Sequence, residues 1–182
     1  MAASYVVRPV RAHEWQEARA LRLAALSDDA APVAFLTTYD DAAARPEGYW
    51  REQTQASSVD AGDATGARLF VAVTAAGDWV GSLVALVERV GDADAGGAVV
   101  EDPSGYVAAV YLAPEHRGRG VLDDLLAAAT DWLRERGLPR ARLYVHTENP
   151  RARRAYEKAG FAATGVQITG GNGPETEMTR AL

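Results

Sequence analysis

The sequence predicts an α/β domain folded around a mixed sheet, and three observations carry that prediction. Stretches of strand-like and helix-like periodicity follow one another as a strand, two helices, three strands, a helix, a strand, a helix and two strands. No repeat, low-complexity tail or linker interrupts them, so residues 1–182 read as one domain. Hydrophobic residues make up 48% and charged residues 24%, the usage of an ordinary globular protein and not of a disordered chain or a coiled coil.

Each element has a local reason. Tyr5 to Val10 reads as a strand, and Ala12 to Ser27 sets Trp15, Ala18, Leu21, Leu23, Ala25 and Leu26 on a helical stripe. Asp40 to Gln55 is a weaker helix, interrupted by Pro46 and expected to restart there, because proline suits a first turn. Gln55 to Ala67 is a loop rich in Ser, Gly, Asp and Ala. Leu69 to Thr74 and Trp79 to Arg89 are strands joined by a turn, hence a hairpin. Gly91 to Ser104 is a long acidic connection, and Tyr106 to Leu112 is the next strand.

Leu122 to Arg136 has the strongest helical stripe, Leu122, Leu125, Leu126, Ala129, Trp132 and Leu133, and stops at Gly137-Leu138-Pro139. Arg142 to His146 is a strand. Asn149-Pro150 joins a capping side chain to a proline at the first helical position, and Gly160 ends that helix. Phe161 to Thr169 and Glu175 to Leu182 are strands flanking a turn at Gly170 to Pro174.

Charge and composition exclude several functions. A formal net charge of −6 argues against a nucleic-acid partner. Arg117, Arg119, Arg140, Arg142, Arg151, Arg153, Arg154 and Lys158 nevertheless crowd the C-terminal half, which suits a small polyanionic ligand. The apolar runs are strand-sized, and Met1 to Ser4 lead into Tyr5 without a basic or apolar leader. Neither a membrane span nor a signal peptide is expected, and the expected location is cytoplasmic. Cysteine is absent, which excludes disulfides, thiolate metal sites and a cysteine nucleophile. His13, His116 and His146 show no metal-ligand spacing, so no metal is expected.

The segment Val110 to Val121 carries the chemistry. A strand ends, a turn with Gly118 and Gly120 follows, and a long helix begins. The first amides of a helix lack intrahelical acceptors and sit at the positive end of its dipole, so this is a pyrophosphate cradle, with Arg117 and Arg119 adding charge. Val121-Leu122-Asp123 lacks the Lys-Ser/Thr of a P-loop, and Asp123 stands where a dinucleotide fingerprint needs glycine. A turn that only reverses the chain is the remaining alternative.

Val110-x-Leu112-x-Pro114 followed by Arg117-Gly118-x-Gly120 resembles the acetyl-CoA-binding motif of the GNAT superfamily of N-acetyltransferases. Leu143-x-Val145, then Asn149, Ala152, Ala155, Tyr156-Glu157-Lys158 and Gly160-Phe161, is similar to the strand and helix that follow it in that family. The resemblance covers roughly Leu69 to Leu182. It implies a mixed, mostly antiparallel central sheet, splayed at the cofactor site and flanked by about four helices. It also implies that backbone groups of Val110, Tyr111 and Leu112 meet the pantetheine arm, and that amides of Arg117, Gly118, Arg119, Gly120, Val121 and Leu122 hold the pyrophosphate. Asn149 would contact the pantetheine or fix the helix facing it. Tyr156 would stand near the thioester sulfur. The chain departs from the family pattern at Glu115, where Gln or Arg is common, and at Leu122, where Gly or Ala is common.

The implied function is transfer of an acetyl group from acetyl-CoA to a primary amine of a small, cationic acceptor, by direct attack in a ternary complex. Protein N-terminal or lysine acetylation, and a non-catalytic acyl-CoA-binding module, are the alternatives. Tyr156 is the expected general acid, a core aromatic being its other reading. Glu88, toward the end of its strand, is the expected general base. Related proteins carry a glutamate in the Tyr106 to Leu112 strand, where Ala108 and Ala109 stand here, leaving Glu88, Glu101, His146 or a water chain. Trp15, Tyr39, Tyr49 and Trp50 either line the acceptor pocket or pack the core. The resemblance also suggests a homodimer.

Overall fold

The computed structural model describes residues 5–182, so the reading of Met1 to Ser4 lies outside the described residues. Strands β1 (Tyr5–Pro9), β2 (Ala67–Thr74), β3 (Trp79–Glu88), β4 (Ser104–Leu112), β5 (Arg140–His146), β6 (Ala162–Gly170) and β7 (Gly173–Ala181) form one sheet in the order β1-β2-β3-β4-β5-β7-β6. Every neighbouring pair is antiparallel except β4 and β5. Short turns suffice for the β2–β3 and β6–β7 hairpins. The parallel step needs a crossover, which helix α5 (Val121–Glu135) supplies.

The N-terminal half departs most from its expected form. Helices α1 (Trp15–Leu26), α2 (Ala31–Ala34), α3 (Tyr39–Ala43) and α4 (Glu47–Ser57) replace the two expected there. Pro46 does divide Asp40 to Gln55, with extended backbone (ψ 159°) as the cap of α4. Helix α2 has a single turn, too short to show a 3.6-residue period. With α5 and α6 (Pro150–Lys158), the described residues hold six α-helices instead of about four.

Both faces of the sheet are covered. On one, Leu125, Leu126, Ala129 and Leu133 of α5 are fully buried against Ala72, Leu83, Ala85 and Met178. Each such leucine contributes about 2–3 kcal/mol of burial free energy. On the other, Leu21 and Ala25 of α1 pack against Tyr111, while Leu26, Ala42 and Trp50 join α1, α3 and α4.

Two departures from regularity open the centre of the sheet. Strands β4 and β5 pair only at Gly105–Ala141 and Tyr106–Arg142. The β3–β4 register also shifts between Ser82 and Val84, opposite Ala109, whose φ of 51° is rare for a residue with a side chain. That bulge lies where β4 has lost β5 as a neighbour. The splay expected from the resemblance is present.

Candidate functional site

A cleft of about 700 Å³ lies in this opening, bounded by β4, β5, the start of α5, α6 and the α1–α2 region. Its base is the helix start. Pro114–His116 forms a 3-10 turn, after which the Arg117 amide donates to the Pro114 carbonyl at 3.2 Å. Gly118 and Gly120 then adopt φ of 73° and 84°, a left-handed conformation open to glycine. The next amide with a bond beyond the helix's own ladder is that of Asp124, which donates to the Gly120 carbonyl. Between them, the amides from Gly118 to Asp123 donate to no protein acceptor among the described residues.

Of the acidic side chains of the first turn, one is paired with a cation and the other is hydrogen-bonded. Asp123 pairs with Lys158 of α6 at 2.5 Å, and Asp124 accepts a 2.8 Å hydrogen bond from the Tyr5 hydroxyl. Burial and Asp124 together push the Tyr5 phenol up to about 12, so it stays a donor. A doubly charged phosphate group arriving at bare amides therefore meets Asp123 already paired with Lys158, and an Asp124 turned to Tyr5. These residues fit a pyrophosphate.

The structure revises some expected positions. Arg117 contributes neither its amide nor a free charge: its guanidinium donates to the Leu112 carbonyl at 2.9 Å and to Asp28 at 2.6 Å. The cradle thus begins at Gly118, because the 3-10 turn consumes the Arg117 amide. Leu112 already has one acceptor interaction with Arg117. Tyr111 packs in the α1 cluster and also lines the cleft. Val110 and Leu122 line the cleft, Val121 anchors the helix start in the core at 1% exposure, and Arg119 is exposed.

Asn149 caps α6, its side-chain oxygen accepting from the Ala152 amide at 3.1 Å, and it also lines the cleft. Tyr156 sits about two turns further along α6. It is 7% exposed, its ring packs edge-on to Phe161, and it lines the cleft. Its hydroxyl makes no hydrogen bond to protein among the described residues, and burial raises its pKa above the ordinary phenol value.

Glu88 is not at the cleft. Its carboxylate takes two hydrogen bonds from Arg142, at 2.6 and 2.9 Å, and a third from Ser104 at 2.8 Å. Arg142 also binds Asp94 of the β3–β4 loop and Glu177 of β7, both at 2.7 Å, and these carboxylates raise its pKa. Asp94 stays below the ordinary carboxylate range: burial pushes it up, but Arg142 and the Ala98 and Gly96 amides outweigh that. A carboxylate with its lone pairs so occupied is not available to take a proton from an acceptor. Alternation alone aimed Glu88 at the cleft; the buried guanidinium on β5 claims it instead.

Glu88→Gln is therefore expected to lower stability by about 1–2 kcal/mol, since Arg142 keeps its other carboxylates. Turnover per folded molecule should stay within a few-fold, as urea unfolding beside steady-state kinetics will check. A collapse of turnover at unchanged stability would return Glu88 to the chemistry.

The remaining candidates separate as clearly. Glu101 is exposed and does not line the cleft. His146 lines it, yet its Nδ1 accepts from the Glu148 amide at 3.1 Å, so its Nε2 donates to the Asn172 carbonyl at 3.0 Å and no nitrogen remains. Glu175, which strand reading passed over, lines the cleft from β7 opposite His146. Burial holds its carboxyl above the ordinary range, with His146 opposing. Strand alternation was the available signal: Thr176 and Met178 are buried, which sends Glu175 and Glu177 to the other face.

Among the N-terminal aromatics, Trp50 is buried in the core, Trp15 packs against its cluster and Tyr39 is 43% exposed. Tyr49 and Trp50 line a second cavity of about 290 Å³, which adjoins the cleft at Arg22 and Ala109.

A sheet opened between two parallel strands above a helix start with bare amides is an architecture suited to a small polyanion. The acetyltransferase (GNAT) family model matches residues 23–161, more than half of the chain, and the chain belongs to that family. It is 34% identical to the streptothricin acetyltransferase of Streptomyces lavendulae over 125 residues, 66% of this chain and 58% of that protein. It is 40% identical to the mycothiol acetyltransferase of Beutenbergia cavernae over 68 residues, 37% of this chain and 23% of that one. The chain thus spans less than two thirds of these relatives. A phosphinothricin acetyltransferase from Sinorhizobium meliloti, solved in complex with AcCoA, has the same fold, with a TM-score of 0.71 and 19% identity over 100% of this chain and 89% of that one. Among the described residues no helix is long and apolar enough to cross a membrane.

Proposed function

We propose that this chain moves an acetyl group from acetyl-CoA to the primary amine of a small acceptor, by direct attack while both substrates are bound. One observation carries the reading: the bare amides from Gly118 to Asp123 open onto the same cleft as the unpaired hydroxyl of Tyr156 and the desolvated carboxyl of Glu175. The amides would hold the pyrophosphate, and the splayed backbone around Val110 would meet the pantetheine. The absence of cysteine supports direct attack over a cysteine-borne acyl intermediate.

Glu175 would take a proton from the acceptor's ammonium group, giving the neutral amine its lone pair. The new C–N bond forms at the thioester carbonyl as the C–S bond breaks. Tyr156 would donate its proton to the departing thiolate and be reprotonated by the proton that the new amide nitrogen loses. The ammonium gives up two protons in all, one ending on sulfur and one leaving through Glu175 to solvent. Glu175 gives the acceptor end a carboxylate that makes no ion pair among the described residues, which favours a cationic amine by steering. Phe35 and Leu36 beside α2 and Ala95 of the β3–β4 loop all line the cleft, which favours a small acceptor over a protein tail.

The test is a panel of primary amines followed by free-thiol release from acetyl-CoA, beside a thermal melt with acetyl-CoA alone. Stabilisation together with amine-dependent thiol release supports the reading. Stabilisation with no release from any amine would make the chain a binding module, and no stabilisation would remove acetyl-CoA. Glu175→Gln is expected to lower kcat about 100-fold. In the parent protein kcat/KM should fall as pH drops through the Glu175 pKa, since the base acts only when deprotonated and burial has moved that limb above the ordinary carboxylate range. An acid limb that Glu175→Gln leaves in place would assign the base elsewhere.

A further inference from the structure

Arg22 of α1 is a half-buried cation that the chemistry above does not use. Its Nη1 is shielded from solvent and has no hydrogen-bond partner, and its side chain makes no ion pair among the described residues. The guanidinium stacks on Phe35 at 4.4 Å, which fixes its plane and leaves its N–H edges free. Burial depresses its pKa, the expected mark of a charge taken from water without compensation. Of the carboxylates that line the same cleft, Asp28 is taken by Arg117 and by the Ala30 amide at 2.9 Å, Asp123 is taken by Lys158, and Glu175 makes no ion pair with Arg22.

Such a charge destabilises the free protein unless something else pairs with it, and its position says what. Arg22 and Ala109 line both the cleft and the second cavity, so the guanidinium stands where the two meet, at the β4 bulge. Leu21, Trp79, Val84 and Leu86 make the walls of the second cavity largely apolar, and its 290 Å³ is room enough for an amino-acid side chain.

We propose that Arg22 binds a carboxylate of the acceptor, so that the substrate class is an amino acid or close analogue with an apolar side chain. Resting on the acetyltransferase reading, this places the ammonium toward Glu175, the carboxylate on Arg22 and the side chain in the second cavity. The guanidinium fork matches a carboxylate with two parallel hydrogen bonds, and the site is partly shielded from water, so the pairing contributes to recognition.

The probes are matched pairs: L-phenylalanine against 2-phenylethylamine, and L-methionine against 3-(methylthio)propylamine, each with acetyl-CoA and the full chain. The carboxylate-bearing member should have the higher kcat/KM, by roughly 10- to 100-fold. Arg22→Gln should erase that preference through KM, and Arg22→Lys should restore part of it. Binding is read separately, as the melting shift given by 3-phenylpropionate against 3-phenylpropanamide. The acid should stabilise the parent protein and not Arg22→Gln. Arg22→Met should melt no lower than the parent, because it removes an uncompensated charge; a fall of several degrees would make Arg22 a structural residue and overturn the proposal. Equal use of the decarboxylated amines, or equal binding of acid and amide, overturns it too. If acetyl-CoA still stabilises the chain in those cases, this assignment alone fails; if acetyl-CoA does not bind, the acetyltransferase reading fails first.

Discussion

Tyr156→Phe is expected to lower kcat at least about 100-fold while changing the affinity for acetyl-CoA by no more than about twofold. The phenol is 7% exposed, faces the cleft and has no protein partner among the described residues. Burial raises its pKa, so it remains protonated throughout the neutral and mildly alkaline range, the state a proton donor needs. Phenylalanine keeps the ring that packs on Phe161 and deletes only the oxygen, so folding and the walls of the cleft are retained. Steady-state kinetics gives kcat, and calorimetry with CoA gives the affinity. Unchanged turnover would remove the acid role and leave Tyr156 a packing residue.

Gly120→Asp should abolish stabilisation by acetyl-CoA. In the parent protein, ligand at 100 times its Kd adds about 2.7 kcal/mol, a rise of roughly 5–10 °C for a chain of this size. Two effects remove it. Gly120 has a φ of 84°, where a side chain costs about 1–2 kcal/mol and the turn would relax away from the geometry that exposes the amides. The new carboxylate would also sit among those amides and occupy the position meant for phosphate. Gly120→Ala separates the two, bringing strain without charge, and should keep part of the shift. An intact shift in Gly120→Asp would show that the ligand is held elsewhere.

The elements with strong local signals were legible. The α5 stripe, the Asn149-Pro150 start, the β2–β3 hairpin and the break at Pro46 each depend on residues within one or two turns of each other, and each is present. The cradle was legible for the same reason, since a glycine turn and a helix start are local geometry. Arg117 was misjudged because its partners, Asp28 and the Leu112 carbonyl, come from other parts of the chain. Glu88 was misjudged likewise: Arg142 lies 54 positions away and reaches it only because β5 pairs with β4. Glu175 and Arg22 carried no motif, and their meaning lies in what surrounds them.

From the amino-acid sequence alone came the α/β class, the family and the helix start with its bare amides, because periodicity, turn chemistry and unsatisfied terminal amides are properties of short stretches. Only tertiary structure decided which carboxylate lines the cleft, which arginine stands without an ion pair between the two cavities and where β4 parts from β5. Those outcomes depend on pairing between distant strands and on competition for partners inside a water-poor interior, where a charge takes whichever opposite charge the fold brings nearest.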